Sequence, residues 1–218
     1  MIIVIDGPAG SGKSSSAKEI ARRLNINFLD SGALYRGVTY IWLELGQPPA
    51  DEFFHFLEHI RLEVEYKEQQ FVLHYNNKDI TNEIRSNRVA EHVSHIAARP
   101  QVRNYVNNLM RNLVKEDLFI ADGRDLGTVV FPDAALKFFM DASITARAER
   151  RFREMKGSEP GLTLEMVKEN LLERDRLDAG REVAPLMKAD DAIVIDTTDK
   201  TFEEQIEEMI HIIEKKLN

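Results

Sequence analysis

The stretch that decides the fold runs from residue 7 to residue 14 and reads Gly7-Pro8-Ala9-Gly10-Ser11-Gly12-Lys13-Ser14. It follows the apolar run Ile2–Ile5 and precedes a segment, residues 14–24, whose apolar residues recur at helical spacing. A strand, a glycine-rich loop and a helix in this order are the context of a phosphate-binding P-loop. The glycines let successive backbone N–H groups converge on an anion, and the helix N-terminus adds partial positive charge.

This loop predicts the binding site of a nucleoside triphosphate. We expect the Lys13 ammonium to reach the β- and γ-phosphates and the Ser14 hydroxyl to hold Mg²⁺. A plain glycine turn beside a surface lysine is the alternative, but such a turn does not require the strand and the helix that flank this loop. The residues expected to bind the triphosphate are Gly7, Pro8, Ala9, Gly10, Ser11, Gly12, Lys13, Ser14 and Ser15.

Length and composition limit the kinds of protein that this chain can be. The 218 residues suit one α/β domain with an insertion, and 43% apolar residues are enough for a sizeable core. A net charge of −8 argues against non-specific nucleic-acid binding, and the absence of cysteine excludes disulfides, thiolate catalysis and cysteine-bound metals. Because we find no secretory leader and no apolar stretch of ~18–20 residues, we expect a cytoplasmic protein that binds no membrane. We also expect a monomer, and the net charge leads us to expect no nucleic-acid partner.

Short apolar runs that each end in an aspartate recur along the chain. With helical patterns between them, they predict an α/β fold whose five-stranded parallel sheet is flanked by helices on both faces. Ligands bind beyond the carboxyl ends of such strands, so we expect Asp6, Asp30, Asp122 and Asp196 on one rim beside the P-loop. The predicted strands are Ile2–Asp6, Asn27–Asp30, Leu118–Asp122, Leu136–Asp141 and Ala192–Asp196.

The stretch from about residue 58 to residue 97 interrupts this α/β order. Residues 62–66 and 71–75 alternate apolar and polar side chains around a polar turn, which predicts an antiparallel hairpin. We therefore expect a single domain with a small inserted subdomain, its core comprising residues 1–57 and 98–218. The helices predicted in and after the insertion span 81–85, 87–97 and 101–114.

Arginine is concentrated in the second half of this acidic chain. Guanidinium groups on loops and at strand ends suggest binding of a polyanion. A solvated helix with ion pairs such as Glu149 with Arg153 is the alternative for the helical positions. The arginines concerned are Arg147, Arg150, Arg151, Arg153, Arg174, Arg176 and Arg181, together with Arg36, Arg103 and Arg124 near other strand ends or helix starts.

With these motifs in place, the chain resembles the bacterial cytidylate kinases, a family of P-loop nucleoside monophosphate kinases, over nearly its whole length. The resemblance implies transfer of the ATP γ-phosphoryl group to CMP or dCMP with Mg²⁺. It also implies that the hairpin insertion is a monophosphate-binding subdomain beside a P-loop kinase core. The segments that carry the resemblance are Ile5–Ser14, Leu29–Arg36, Ile120–Pro132, Glu173–Arg181, and Ala184–Leu186 with Ala189–Asp196.

The resemblance also implies roles for individual residues. Arg150 and Arg151 resemble residues of a short helical lid, about residues 147–162 with a tip at Gly157–Gly161, that closes over ATP. The implied catalytic set is Lys13, Arg124, Arg151 and Arg181. The residues implied to bind the acceptor are Ser31, Arg103 and Asp125 at the base, Arg36, Arg124 and Arg181 at the phosphate, and Arg174 and Asp178 at the sugar, with Asp122 beside them.

These base contacts suit cytosine. A carboxylate such as Asp125 accepts from the N4 amino group, and a guanidinium such as that of Arg103 donates to the ring acceptors. Uracil presents a carbonyl where cytosine has its amino group, so selectivity for cytosine is expected. A helix N-cap or an ion pair with Arg124 is the alternative for Asp125, and either is compatible with base recognition.

Other functions for this P-loop are an AMP or shikimate kinase, a regulatory GTPase and a non-catalytic nucleotide-binding module. The sequence has no N-K-x-D guanine signature and no D-x-x-G switch after the P-loop, which argues against a GTPase. A phosphate acceptor is already anionic, so transfer to it requires no general base. We accordingly expect all six histidines to be surface or packing residues.

Overall fold

The computed structural model of the chain describes residues 1–67, 70–115, 117–155 and 161–217. The strands of these ranges are β1 (Ile2–Asp6), β2 (Asn27–Asp30), β3 (Leu62–Lys67), β4 (Gln70–Tyr75), β5 (Lys78–Asp79), β6 (Phe119–Asp122), β7 (Leu136–Asp141) and β8 (Ile193–Asp196). The α-helices are α1 (Lys13–Leu24), α2 (Ser31–Glu44), α3 (Ala50–Leu57), α4 (Asn87–Ala97), α5 (Pro100–Leu113), α6 (Ile144–Met155), α7 (Leu164–Ala179) and α8 (Phe202–Leu217).

Within the described ranges, the main sheet has five strands in the order β2-β6-β1-β7-β8, and every neighbouring pair is parallel. The predicted five-stranded parallel sheet is confirmed. β6 begins at Phe119 and β8 at Ile193, one residue later than the sequence pattern suggested. At β8 the reason is local, because the Ala192 N–H donates to the Ala189 carbonyl oxygen in a turn.

The central strand β1 is buried on both faces, and its alternating side chains divide the core in two. Ile2 and Val4 belong to one apolar cluster, which includes the inner faces of α2 and α5. Ile3 and Ile5 belong to a second cluster on the opposite face, which is closed by α1 and α8. Because helices cover both faces of the sheet, a ligand can approach at the carboxyl ends of the strands.

The register of the sheet brings the terminal aspartates together. Asp30 pairs with Asp122 across β2 and β6, and Asp122 pairs with Ile5 of β1. Asp6 follows directly and leads into the P-loop. On the other side of β1, Asp196 pairs with Asp141. The rim of acidic residues predicted beside the P-loop is therefore present.

The inserted segment forms a second, antiparallel sheet in the order β3-β4-β5. The two central residues of the predicted hairpin turn, 68 and 69, lie outside the described residues. A 3₁₀ turn, Glu83–Arg85, and α4 follow, and α4 packs on α2. At this contact the Trp42 ring lies 5.7 Å from the His92 ring, and the Trp42 Nε1–H donates to the Pro48 carbonyl oxygen at 3.0 Å.

Two further segments complete the surroundings of the rim. Leu126–Val130, directly after β6, forms a single π-helical turn that no sequence pattern indicated. α6 and α7 pack against each other beside the P-loop, and residues 156–160, which include most of the predicted lid tip, lie outside the described residues. Among the described helices, none combines the length and apolar character needed to span a membrane.

Candidate active site

The P-loop connects β1 to α1, and its backbone requires glycine at both ends. Gly7 has a φ of 147°, and a Cβ there would lie 2.0 Å from the Met140 carbonyl oxygen on β7. Gly12 has a φ of 95° immediately before α1 begins. Because left-handed φ values favour glycine, a side chain at either position would distort the turn. The chain thereby passes directly from the sheet rim into a helix N-terminus, the arrangement that binds phosphate.

The Lys13 side chain is buried beneath this loop. Its Nζ donates to the Pro8 carbonyl oxygen at 2.6 Å and lies 3.4 Å from Ser11 Oγ. Burial lowers the pKa of the Lys13 ammonium well below its usual range, and the positive charge of Arg124 lowers it further. An anion bound in the loop would favour the charged form of Lys13, because opposite charges nearby raise the pKa of an amine.

Asp122, at the end of β6, lies next to Ser14 of the P-loop. The Ser14 hydroxyl donates to Asp122 Oδ2 at 2.5 Å, and Asp122 Oδ1 is buried without a hydrogen-bond partner among the described residues. Burial raises the pKa of Asp122 to about 6, and the neighbouring Asp30 carboxylate contributes to the rise. The serine hydroxyl and the unpartnered carboxylate oxygen are hard oxygen ligands of the kind that Mg²⁺ prefers.

The acceptor residues predicted from the sequence all line one pocket of about 90 Å³ beside this rim. Asp30 accepts from the Ala33 N–H at 2.9 Å and so caps α2, which carries Ser31 and Arg36 in its first turns. The Ser31 hydroxyl donates to the Asp122 carbonyl oxygen at 2.5 Å. The pocket brings together Ser31, Arg36, Arg103, Asp122, Arg124, Asp125, Arg174, Asp178 and Arg181.

Three arginines of the acceptor pocket pair with carboxylates of the same pocket. Arg103 and Asp125 form a buried ion pair, whereas Asp125 has no side-chain contact with Arg124 and caps no N–H group. Asp178 accepts from Arg124 Nε at 2.8 Å and also from Arg181. Although burial opposes it, the guanidiniums of Arg124 and Arg181 hold the pKa of Asp178 below its usual value. The alternative interpretation of Asp125, an ion pair with Arg124, is therefore wrong, because Asp125 pairs with Arg103 instead.

A larger cleft of about 800 Å³ lies over the P-loop. We call it the donor cleft. The P-loop residues Ala9, Gly10 and Gly12–Ser15 line it, as do Arg150 and Arg151. Arg36, Arg124 and Arg174 line both this cleft and the acceptor pocket. Burial lowers the pKa of Arg174 to about 10, and its Nε is unpartnered among the described residues. The two cavities meet at these three guanidinium groups.

The two arginines expected on the lid have different surroundings. Arg150 donates to the Thr197 carbonyl oxygen, and to Thr197 Oγ1 at 2.9 Å. Arg151 is half-exposed and pairs with Glu154 at 3.0 Å. Both stand on α6 at the wall of the donor cleft. Arg153 donates to the Glu149 carbonyl oxygen at 3.3 Å, so this contact is to the helix backbone and not the ion pair named above as the alternative.

Sequence reasoning missed the contacts of two buried residues, Asp6 and Arg147, and of the half-buried Asp175, which hold the site together. Asp6 accepts from the N–H groups of Leu126 and Gly127 at 2.9 and 2.7 Å, which fixes the loop after β6 to the start of the P-loop. Arg147 and Asp175 pair with each other at 2.5 Å and both contact the Ala9 backbone. These partners are 28 to 166 residues apart, so no local spacing could reveal them.

Comparison with known proteins gives the family. A family profile described as cytidylate kinase matches residues 3–215. A cytidylate kinase from Carboxydothermus hydrogenoformans is 40% identical over 218 residues, covering 99% of this chain and 98% of that protein. A cytidylate kinase from Clostridioides difficile is 41% identical over 215 residues, covering 96% of each chain.

A crystal structure of an uncharacterized protein from Eubacterium ventriosum shares the fold, with a TM-score of 0.51 at 14% identity, covering 99% of this chain and 96% of that one. Its low identity limits that likeness to architecture. The family profile and the full-length relatives go further, and on their strength this chain belongs to the cytidylate kinase family.

Proposed function

We propose that this protein transfers the γ-phosphoryl group of ATP to CMP or dCMP, giving ADP and CDP or dCDP. Membership of the cytidylate kinase family supports this reaction. The structural observation that carries it is the junction of two cavities at Arg36, Arg124 and Arg174. Phosphoryl transfer between two nucleotides brings two polyanions together, and fixed guanidinium groups at their junction offset the repulsion.

Cytosine recognition is assigned to Ser31, Arg103 and Asp125. The N4 amino group of cytosine would donate to the Asp125 carboxylate, while Arg103 would donate to N3 and O2. Arg103 Nε is buried and has no partner among the described residues, so a donor is available to the base in this pocket. Burial raises the pKa of the Asp125 carboxyl, and the neighbouring Arg103 guanidinium opposes that rise.

The acceptor phosphate is assigned to Arg36, Arg124 and Arg181. In the structure Asp178 is the anion bound by Arg124 and Arg181, and we infer that the CMP phosphate replaces it there. The released Asp178 carboxylate would then accept hydrogen bonds from the sugar hydroxyls, and the Arg174 guanidinium would donate to them. The exchange keeps Arg124 and Arg181 paired with an anion, and Arg174 and the sugar hydroxyls become the partners of the buried Asp178 carboxylate.

On the donor side, the P-loop and Lys13 would bind the triphosphate, whose negative charge favours the protonated lysine. Ser14 and Asp122 would hold Mg²⁺, since a hydroxyl and an unpartnered carboxylate oxygen meet there. When bound, Mg²⁺ neutralises charge on the β- and γ-phosphate oxygens. Arg150 and Arg151 lie where a closing lid would bring guanidinium charge to the γ-phosphate. The attacking CMP phosphate oxygen is already anionic, so it would need no general base.

Closure and assembly are also part of the proposal. We infer that residues 58–97 form a monophosphate-binding subdomain and that the lid, about residues 147–162, closes with it to exclude water from the reacting phosphates. Most of the lid tip, residues 157–160, lies outside the described residues. We propose a monomer that acts on free nucleotides in the cytoplasm, and the net charge of −8 is the feature that disfavours nucleic-acid partners.

A coupled assay of ADP release with CMP, dCMP, UMP, AMP and shikimate as separate acceptors tests the function. We expect high kcat/KM for CMP or dCMP and values lower by one to a few powers of ten for UMP and AMP. A clear preference for AMP or shikimate would overturn the cytosine assignment. ADP release that is unchanged by every acceptor would show a nucleotide hydrolase or a binding module instead.

A further inference from the structure

One ion pair holds both backbone polar groups of the P-loop residue Ala9. The Ala9 N–H donates to Asp175 Oδ1 at 3.2 Å, and the Ala9 carbonyl oxygen accepts from Arg147 at 3.0 Å. Arg147 also donates to Asp175 Oδ2 at 2.5 Å and to the Ala142 carbonyl oxygen at 3.0 Å. The course of the P-loop at Ala9 is thus set by side chains of α6 and α7.

The same interface is closely packed. Ala9 joins Ala148, Val167 and Leu171 in a small buried apolar cluster between the loop and the two helices. At Gly10, where φ is 75°, a Cβ would lie 3.4 Å from both the Cβ and the carbonyl oxygen of Arg147. Because Ala9 packs directly on both helices, a displacement of the loop changes the contacts that α6 and α7 make with it.

The helix that carries Asp175 also carries acceptor residues. Successive residues of an α-helix are about 100° apart, so Arg174, Asp175 and Asp178 fall within an arc of about 100° on α7. Arg174 and Asp178 line the acceptor pocket, and Asp178 binds Arg124 and Arg181. One face of one helix therefore contacts the phosphate loop through Asp175 and the acceptor pocket through its neighbours.

We propose that Arg147 and Asp175 are positioning residues that couple the P-loop to the acceptor pocket through α7, so that ATP and CMP each strengthen the binding of the other. The inference rests on the function proposed above and adds communication between its two sites. Filling the loop with a triphosphate fixes Ala9, the ion pair transmits that position to α7, and α7 presents Arg174 and Asp178 to the acceptor. Neither residue touches a reacting atom.

A purely structural ion pair would stabilise the fold without linking the two ligands. The coupling factor is the ratio of the CMP dissociation constants measured without and with a β,γ-imido analogue of ATP and Mg²⁺. It separates these roles, because only a pair that links the two sites changes this ratio. Isothermal titration calorimetry measures both constants on the intact chain without turnover. By thermodynamic reciprocity, CMP must change the affinity for the analogue by the same factor, which provides an internal check.

The informative variants are Asp175→Asn and Arg147→Gln, singly and combined. Asp175→Asn keeps the shape of the side chain and one acceptor oxygen, so it removes the charge of the pair with little change in volume. The matched control is Glu173→Gln with Arg176→Gln, an ion pair of 2.7 Å on the exposed face of α7. Melting temperatures of all variants are recorded alongside the titrations to show that each one is folded.

For the wild-type chain we expect CMP to bind at least about fivefold more tightly with the analogue present. Asp175→Asn and Arg147→Gln should each bring this factor below about twofold, the double variant should match the single ones, and the control pair should keep the wild-type factor. Wild-type coupling that persists in folded Asp175→Asn and Arg147→Gln overturns the inference, as does a factor of one in the wild-type chain. Failure of the proposed function is a separate result, namely no phosphorylation of CMP in the acceptor assay.

Discussion

The donor cleft and the acceptor pocket hold their positive charges in different ways. In the acceptor pocket, Arg103 forms an ion pair with Asp125, and Arg124 forms one with Asp178. In the donor cleft the Lys13 ammonium donates, within the described part of the chain, only to neutral oxygens, those of Pro8 and Ser11, while Arg151 at the cleft wall pairs with Glu154. The difference indicates that Lys13 depends on the charge of its ligand, whereas the paired guanidiniums of the acceptor pocket would exchange one anion for another.

Lys13→Met gives the sharpest test of the donor side. It removes a cation whose charge has no protein carboxylate as hydrogen-bond partner, so we expect kcat to fall by about 10²–10³-fold while circular dichroism stays unchanged. The matched control is Lys18→Met on the exposed face of α1, where the ammonium lies 5.6 Å from the Phe28 ring centroid. Steady-state kinetics decide the matter, and a kcat within tenfold of wild type would contradict the role of Lys13.

Arg124→Ala tests the acceptor side. Arg124 binds Asp178 in the structure and is proposed to bind the CMP phosphate in its place, so loss of its guanidinium should lower kcat/KM for CMP by about 10- to 100-fold. CMP affinity and turnover should fall together, and titration calorimetry with CMP measures the first of these. Arg176→Ala, an exposed position on α7, serves as the control. Full retention of both quantities in Arg124→Ala would exclude it from the phosphate clamp.

Asp125→Asn probes selectivity within the acceptor pocket. The amide keeps an acceptor for the cytosine N4 group but also offers a donor to the uracil carbonyl, so the ratio of kcat/KM for CMP over UMP should fall by about tenfold. A ratio is compared because the loss of the Arg103 ion pair also lowers affinity for both nucleotides. Asp133→Asn, on the exposed turn before β7, is the control, and an unchanged ratio in Asp125→Asn would place base reading elsewhere.

The smallest expected effect is a pH dependence of stability at Asp122. Its pKa is raised to about 6 in the folded chain, so its stabilising contribution is complete below the unfolded pKa of 3.8 and is lost as the pH rises through 6. Between pH 5 and pH 7 the unfolding free energy of wild type relative to Asp122→Asn should fall by about 1 kcal/mol. Urea unfolding at several pH values measures this difference, and a rise over that interval would reverse the assignment.

The sequence predicted the parts of this structure that depend on local pattern. Apolar runs that end in aspartate gave all five strands of the main sheet to within one residue. Helical spacing similarly gave α4 with its observed bounds, Asn87–Ala97, and the glycine spacing gave the P-loop turn. The identity of the acceptor-pocket residues followed from the resemblance to a family, since their positions are scattered along the chain.

What the sequence did not predict depends on contacts between distant residues. Asp6 reaches Leu126 and Gly127 across about 120 positions, and that contact fixes the π-helical turn Leu126–Val130. The environment of Arg147 was not predictable either, because its position in a helical pattern suits both an exposed residue in an ion pair and a lid residue. Burial against Ala9 decides between them, and burial at that position follows only from the docking of α6 on the P-loop.

The single tryptophan of the chain sits where a rearrangement of α2 and α4 would be visible. Trp42 stands on α2, and its ring lies 5.7 Å from the imidazole of His92 on α4. If nucleotide binding moves the inserted subdomain, the distance between indole and imidazole changes, and the intrinsic emission of the protein changes with it. Stopped-flow fluorescence of the unlabelled, natural chain can therefore time closure after mixing with CMP, free of background from any second indole.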